Sequence, residues 1–325
     1  MIPNRWSANN LWKSFRSPHL IRREVRMWLS RLTYPRYNQE MKTEYGEGID
    51  VMDRDWDNLI ILDACRFDYL NEENTISGEL RPVTSRGSTS YEFIKNCFMG
   101  RELHDTVYVT ANPYVEELSD DTFYTVENLL INRWDEDLGT VRPNAVVDAA
   151  ADAHERYPNK KLIVHFMQPH QPYLGPTARE IRDRVGIDGG YYRYQCVDTT
   201  DTNVPSRSWF GSVIRGDISH EELGEVYREN LNLALNSAED LLTRIDGKSV
   251  VTADHGELLG ERLGRWSHRS YGHTPHCYAP ELRVVPWLET EGSDRRRIVA
   301  EDPIGFESLD QERVDDRLRA LGYVP

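Results

Sequence analysis

Between Ser249 and Glu261 the chain reads SVVTADHGELLGE, an apolar run that breaks off at Ala-Asp-His-Gly-Glu. A short run bounded in this way reads as a buried strand, and the residues just after it lie at the strand tip. Asp254 and His255 therefore arrive together, a carboxylate beside an imidazole, both ligand types for a divalent metal. Gly256 behind them suits a tight turn. An Asp-His-Gly triplet gains meaning only if other strand ends bring matching chemistry to the same place.

The rest of the chain supplies those strands. Apolar runs fall at Asn58–Leu62, Thr106–Thr110, Lys161–Phe166 and Leu282–Trp287. Helical patterns lie between them: Pro143–Arg156 opens on a first-turn proline, and Glu221–Ile245 repeats Leu231, Leu235, Ala238, Leu242 and Ile245 at steps of three and four. Such alternation predicts an α/β fold with a mostly parallel sheet and helices on both faces. Residues 173–219 break the rhythm. Rich in Gly, Tyr, Asp, Thr and Arg, they read as an insertion near the active face that shapes substrate access, or as a surface loop.

In open α/β sheets ligands bind at the carboxyl ends of the strands. The first run ends in Asp63, followed by Ala-Cys-Arg66-Phe-Asp68. The third carries His165 and continues into Gln168-Pro-His170-Gln-Pro-Tyr173, and His268, His273 and His276 come after the Asp254-His255 strand. An aspartate after a strand is often only a helix cap. Acid and imidazole at three separate strand ends are not explained that way, and together they favour a metal site. Thr84–Ser90 is a hydroxyl-rich turn leading into a helical pattern, Tyr91–Phe98, that stops at Gly100. A hydroxyl at a helix N-terminus sits among free N–H groups that suit a phosphate or sulfate group, and a nearby metal would make it a nucleophile. One of these residues is also expected to serve as the helix cap.

Composition narrows the partners. The 325 residues carry 54 acidic and 39 basic side chains, a net charge of −15, which argues against nucleic acid and fits a halophile's surface. Residues 1–45 run the other way, with nine basic residues (Arg5, Lys13, Arg16, Arg22, Arg23, Arg26, Arg31, Arg36, Lys42) against Glu24, Glu40 and Glu44. Within them Ile21, Val25, Trp28, Leu29 and Leu32 recur at helical spacing. Residues 1–50 thus read as a basic amphipathic extension that packs on the acidic body of its own or a second subunit, or makes peripheral membrane contact through 5–37. Four scattered cysteines suggest no disulfide framework. Without a membrane span or secretory signal pattern, the expectation is a cytoplasmic protein, peripheral to a membrane at most.

Taken in order, NLIILDACRFDYL, the hydroxyl turn, HFMQPHQPY, YRENLNLALNSAEDLLTRIDGKSVVTADHGELLGE and GHTPHCYAPELRVVPWL resemble the alkaline phosphatase/sulfatase superfamily. The closing RVDDRLRALGY is similar to archaeal sulfatase-like members. The resemblance covers about residues 56–325 and implies an alkaline phosphatase-like three-layer sandwich, with a catalytic domain over 51–325. It implies Asp63, Asp254 and His255 as ligands of a divalent metal (Ca, Mg, Mn or Zn). Ser90, with Thr89 as second choice, is implied as nucleophile and fourth ligand within the Ser88–Ser90 turn. His165, His170 and His273 are implied as catalytic groups, and Arg66 and Arg86 as binders of the substrate anion. The implied activity is hydrolysis or transfer of a phosphate- or sulfate-type ester on a small-molecule, glycan or lipid-linked substrate. A sulfatase acting on a sulfated glycan, or a non-catalytic anion- or glycan-binding relative, are the alternatives. The chain departs from sulfatases in lacking Cys-x-Pro-Ser-Arg and in placing Ala64 where a further acid often stands. Met167–His170 offers no aspartate of the two-zinc kind, so one firmly held metal is expected.

Overall fold

The computed structural model describes residues 33–187, 196–198, 208–265, 267–290 and 294–321. Seven strands form the central sheet in the order β2-β12-β9-β1-β7-β3-β4. Its centre is β9 (Ser249–Thr252), β1 (Asn58–Leu62) and β7 (Lys161–Phe166), paired in parallel. Parallel β3 (Leu103–Thr110) and β4 (Phe123–Asn128) extend one side. On the other side β12 (Val284–Thr290) runs antiparallel to both β9 and β2 (Gly78–Thr84). The sheet is mostly parallel and flanked by helices, as the alternation predicts. β1, β7 and β9 match the predicted runs residue for residue, because side chains buried on both faces write a continuous apolar segment. The predicted run at Leu282 splits, with Pro280–Arg283 forming a short helix before β12 begins at Val284.

The helices Pro143–Arg156 and His220–Arg244 pack on each other, and the first also lies against β3 and β7. Along the long helix Leu223, Val226, Leu231, Ala234, Leu235, Ala238 and Leu241 are buried on one face, the stripe that docks it. Ser219 and Glu222 close its N-terminus as a capping box.

The described parts of the 173–219 stretch form more regular structure than their composition suggests. It contains the helices Pro176–Val185 and Trp209–Arg215, and Tyr173, Ile181, Trp209 and Phe210 join Leu223, Tyr227 and Tyr271 in a second apolar cluster. Its strand β8 (Cys196–Asp198) adds to the hairpin of β10 (Leu258–Arg262) and β11 (Arg269–Gly272). A two-stranded ribbon, β5 (Trp134–Asp135) with β6 (Thr140–Val141), completes the strands among the described residues. The insertion is therefore built onto the segment between Asp254-His255 and His273, at the carboxyl end of the sheet.

The apolar stripe Ile21–Leu32 lies outside the described residues. Residues 33–45 are helical, and Tyr34 and Tyr37 pack against Leu258, Leu263, Cys277, Ala279 and Leu282. At its end the extension packs on the body. Cys65, Cys97 and Cys277 are buried free thiols, and no helix among the described residues is long and apolar enough to cross a membrane.

At the opposite end of the sheet Asp57 ties the C-terminal tail down. Its carboxylate accepts from Lys248 N (2.9 Å), Arg295 Nε (2.8 Å) and Arg295 Nη2 (3.1 Å). Burial pushes its pKa up, but the Arg295 bonds and the backbone N–H groups prevail and hold it below the usual carboxylate range. A lowered carboxyl pKa stabilises the fold above the unfolded value and loses that contribution as pH falls through the folded one. Asp57→Asn is expected to destabilise by about 1.5 kcal/mol at pH 7, the lower end for a charged bond because Arg295 is half-exposed. In urea unfolding the gap to wild type should close below about pH 4.

Candidate metal and nucleophile site

Because β9, β1 and β7 are neighbours, their tips deliver Asp254-His255, Asp63 and the His165–His170 segment to one place. Asp63, His165, Asp254 and His255 are 0% exposed. Ala64 stands at φ 59, in the left-handed region, and turns the chain back after Asp63. That turn lets Ala64 N donate to Asp254 Oδ1 (3.1 Å), which also accepts from His255 N (2.8 Å). Asp254 Oδ2 is left to face the cluster, 3.6 Å from His165 Nε2 and 3.5 Å from His255 Nε2. Gly256 is needed for a different reason than expected. Its φ is not left-handed, but a Cβ there would run into the Glu281 carbonyl.

His255 Nδ1 faces the Gly256 carbonyl at 2.7 Å, so it carries the proton and donates, leaving the Nε2 lone pair for the cluster. Nε2 lies 3.5 Å from Asp63 Oδ1 and 3.2 Å from Ser90 Oγ. Ser90 Oγ is also 3.2 Å from Asp63 Oδ2, which accepts from Asn112 Nδ2 as well (2.8 Å). Ser90 is the first residue of the helix Ser90–Cys97, while Thr89 is its N-cap, with Oγ1 accepting from Glu92 N. The two candidate hydroxyls thus do different things: Ser90 faces the acids and Thr89 closes the helix.

Asp63, His165 and Asp254 bring ligand atoms within 4.8 Å of one another. A second buried group, His170, Glu257 and His273, does the same. His170 Nδ1 faces the Gln171 carbonyl (2.7 Å), and His273 Nδ1 lies 3.1 Å from Glu257 Oε1. The groups adjoin, with the His255 and His273 rings 4.4 Å apart. The sequence suggests one firmly held metal, and among the described residues two ligand groups come together. Met167–His170 has no aspartate, and the Asp-His-Gly-Glu turn brings Glu257 to His170 and His273.

Burial pushes Glu257 up to about 7 and lowers both His170 and His273 to about 4. Burial lowers His255 too, against the pull of Asp254. Burial alone would raise Asp254, but His255 and His165 beside it hold it well below the usual carboxylate range. Carboxylates and imidazoles, 3% exposed or less, are the donor types that hold a divalent cation. The residues fit a metal.

Arg66 and Arg86 lie elsewhere. Arg66 pairs with Asp68 (2.6 Å) and Glu261 (2.5 Å) and donates to the Glu257 carbonyl, bracing the second group from behind. Arg86 pairs with Asp50 (2.7 Å), which Arg101 also contacts. Neither guanidinium sits among the clustered acids and imidazoles.

Two residues without a signal of their own hold the ligand loops. On the long helix Tyr227 and Asn230 are one turn apart and fully buried. Tyr227 Oη donates to the Ala64 carbonyl (2.7 Å) and accepts from Arg66 N (3.0 Å), fixing the Asp63 turn. Asn230 Nδ2 faces the carbonyls of Pro169, His170 and Pro172 (3.0, 3.0 and 3.3 Å), and Oδ1 accepts from Leu174 N (3.0 Å). Tyr108 likewise meets His165 Nδ1 at 2.8 Å. Asn230→Ala would strand several buried backbone groups, so a stability loss of about 2 kcal/mol is expected. Metal affinity of the His170 group should weaken about 10–100-fold, read by equilibrium dialysis.

No protein-family model matches the chain, and no curated protein does. Solved structures are similar at low identity. The soluble domain of lipooligosaccharide phosphoethanolamine transferase A from Neisseria meningitidis is 12% identical over 72% of this chain and 76% of that one, at a TM-score of 0.43. The C-terminal periplasmic domain of phosphoethanolamine transferase EptC from Campylobacter jejuni is 13% identical over 71% and 77%, at 0.43. A protein in the alkaline phosphatase superfamily from Vibrio parahaemolyticus is 12% identical over 82% of this chain and 65% of that one, at 0.40.

Proposed function

We propose that the chain is a metal-dependent enzyme that hydrolyses or transfers a phosphate-type ester, with Ser90 as the nucleophile. One observation carries this reading: Ser90 Oγ stands 3.2 Å from both Asp63 Oδ2 and His255 Nε2, at a helix N-terminus and beside two buried acid–imidazole groups. Asp63, Asp254 and His255 would hold one divalent cation with Ser90, and His170, Glu257 and His273 a second. Bound there, divalent cations would lower the pKa of the Ser90 hydroxyl and offset the charge of the reacting ester.

The remaining work falls to the chain itself. Asp63 and His255 orient the Ser90 hydroxyl. The helix start turns backbone N–H groups toward an anion. His170 and His273, neutral at pH 7, serve as imidazole donors of the second ligand group. Full burial strengthens each of these interactions. Hydrolysis and transfer use the same residues and differ only in whether water or an alcohol takes the group from Ser90. A phosphate ester is favoured over a sulfate ester because the nucleophile position holds serine and no Cys-x-Pro-Ser-Arg occurs. The basic stretch through residue 37 makes a glycan- or lipid-linked ester the substrate class that fits best.

The full chain, loaded in turn with Mg, Mn, Ca and Zn, is expected to turn over p-nitrophenyl phosphate or bis-p-nitrophenyl phosphate at least about tenfold faster than p-nitrophenyl sulfate. A preference for the sulfate would favour the sulfatase reading. Absence of turnover with every metal and every ester would overturn the hydrolase and leave only a strict transferase or an anion-binding protein.

A further inference from the structure

We infer that Glu92 is a positioning residue that keeps the Ser90 turn and the His273 loop in register, with one carboxylate oxygen on each. Thr89-Ser90-Tyr91-Glu92 spells a capping box, in which the glutamate would bond back to the N–H of Thr89. Half of that box is built, since Thr89 Oγ1 accepts from Glu92 N at 3.2 Å. The carboxylate goes elsewhere. Oε2 accepts from Ser88 N (3.0 Å) and from Ser88 Oγ (2.7 Å). Oε1 accepts from His276 N (2.9 Å) and lies 2.7 Å from His276 Nδ1.

The two segments so joined are 184 or more positions apart in sequence. One leads into Ser90, and the other follows directly on His273. Ser88 Oγ reinforces the link, lying 2.8 Å from the Thr274 carbonyl and accepting from Cys277 N (3.3 Å). His276 stands at φ 58, a left-handed conformation that costs a non-glycine residue about 1 kcal/mol or more. Its imidazole is 89% exposed, so side-chain burial does not hold it there. The Glu92 bonds do, with Asn38 Nδ2 donating to the His276 carbonyl from the other side (2.8 Å).

Glu92 cannot be a catalytic residue itself. Two steps along a helix turn it about 200° away from Ser90, so its carboxylate faces away from the acids that Ser90 meets. A glutamate serving only the helix dipole would touch only its own helix start. This one spans two segments and acts on Ser90 and His273 through their backbones.

The inference rests on Ser90 being the nucleophile, and two readouts keep the claims apart. In Glu92→Gln one oxygen becomes an NH2 group that cannot accept, so the clamp fails. Amide hydrogen exchange should quicken about tenfold or more at Ser88 and at His276–Cys277 together. With the metal-loaded full chain and p-nitrophenyl phosphate, kcat should fall about tenfold with KM within about twofold, and Glu92→Asp should recover part of it. Faster exchange in only one segment, or in neither, overturns the positioning role. Faster exchange in both, with a wild type that cleaves no ester, leaves the clamp standing and removes the nucleophile reading. Should Glu92→Gln not fold, Ser88→Ala leaves Glu92 and the Thr89 cap in place. Its Cys277 amide must then exchange faster, and an unchanged rate overturns the inference.

Discussion

Ser90→Ala should lower kcat for a phosphate ester by at least about a thousandfold, whereas Thr89→Ala should leave kcat within several-fold of wild type. The two hydroxyls are adjacent, but the helix start separates their roles. Thr89 has the extended backbone of an N-cap, φ −148 and ψ 158, and its Oγ1 is spent on Glu92 N. Ser90 is already helical and points the other way, to Asp63 and His255. Removing the cap should appear as a stability loss of about 1 kcal/mol. Removing Ser90 should leave the melting temperature nearly unchanged, because a buried hydroxyl facing carboxylates adds little to a metal-free fold. Steady-state kinetics and thermal unfolding of both variants decide the matter. The assignment moves to Thr89 if Ser90→Ala keeps more than about a tenth of kcat while a folded Thr89→Ala loses nearly all of it.

How far the sequence could be read depended on burial. β1, β7 and β9 stood out because each is shielded on both faces, so nothing polar interrupts them. The flanking strands did not. β2, GELRPVT, is largely exposed at the sheet edge, where proline and charges are tolerated, and β4, FYTVEN, lies at the other edge. The insertion hid its helices for a related reason: Pro176–Val185 buries only Ala178 and Ile181, too few apolar positions to write a period. In the site, Asp63, Asp254 and His255 were legible because they end strands. Glu257 was not, since a glutamate two residues past His255 in a glycine turn has no signature until the fold brings His170 and His273 to it. Arg66 drew attention as a cation near Asp63, yet Asp68, two residues on, already offered it a carboxylate. Tyr227 and Asn230 read as polar positions on an amphipathic helix. Only the packed structure shows that they grip the turns carrying Asp63 and His170.

The metal-loaded chain is expected to hold two equivalents of a divalent cation, and single substitutions should remove them separately. Asp63, Asp254 and Glu257 are all 1% exposed or less, and the positive partners that flank Asp254 are only imidazoles. Three buried carboxylates ask for more positive charge than one dication brings, and the imidazoles are driven toward neutrality by burial. Metal-free, Glu257 meets this by holding on to its proton up to about pH 7. A second cation would take that proton's place. Asp254→Ala should cost the first group its metal, more than about a hundredfold in affinity, and about 1–3 kcal/mol of stability, because Ala64 N and His255 N lose their acceptor. Glu257→Gln keeps the shape and should empty only the second group, with Ser90 and its neighbours undisturbed. Metal analysis after gel filtration, backed by equilibrium dialysis, gives the count. One equivalent in the wild type, unchanged in Glu257→Gln, would restore the single-metal site that the sequence first suggested. Stoichiometric metal retained by Asp254→Ala would place the metal somewhere other than at the tips of β1 and β9.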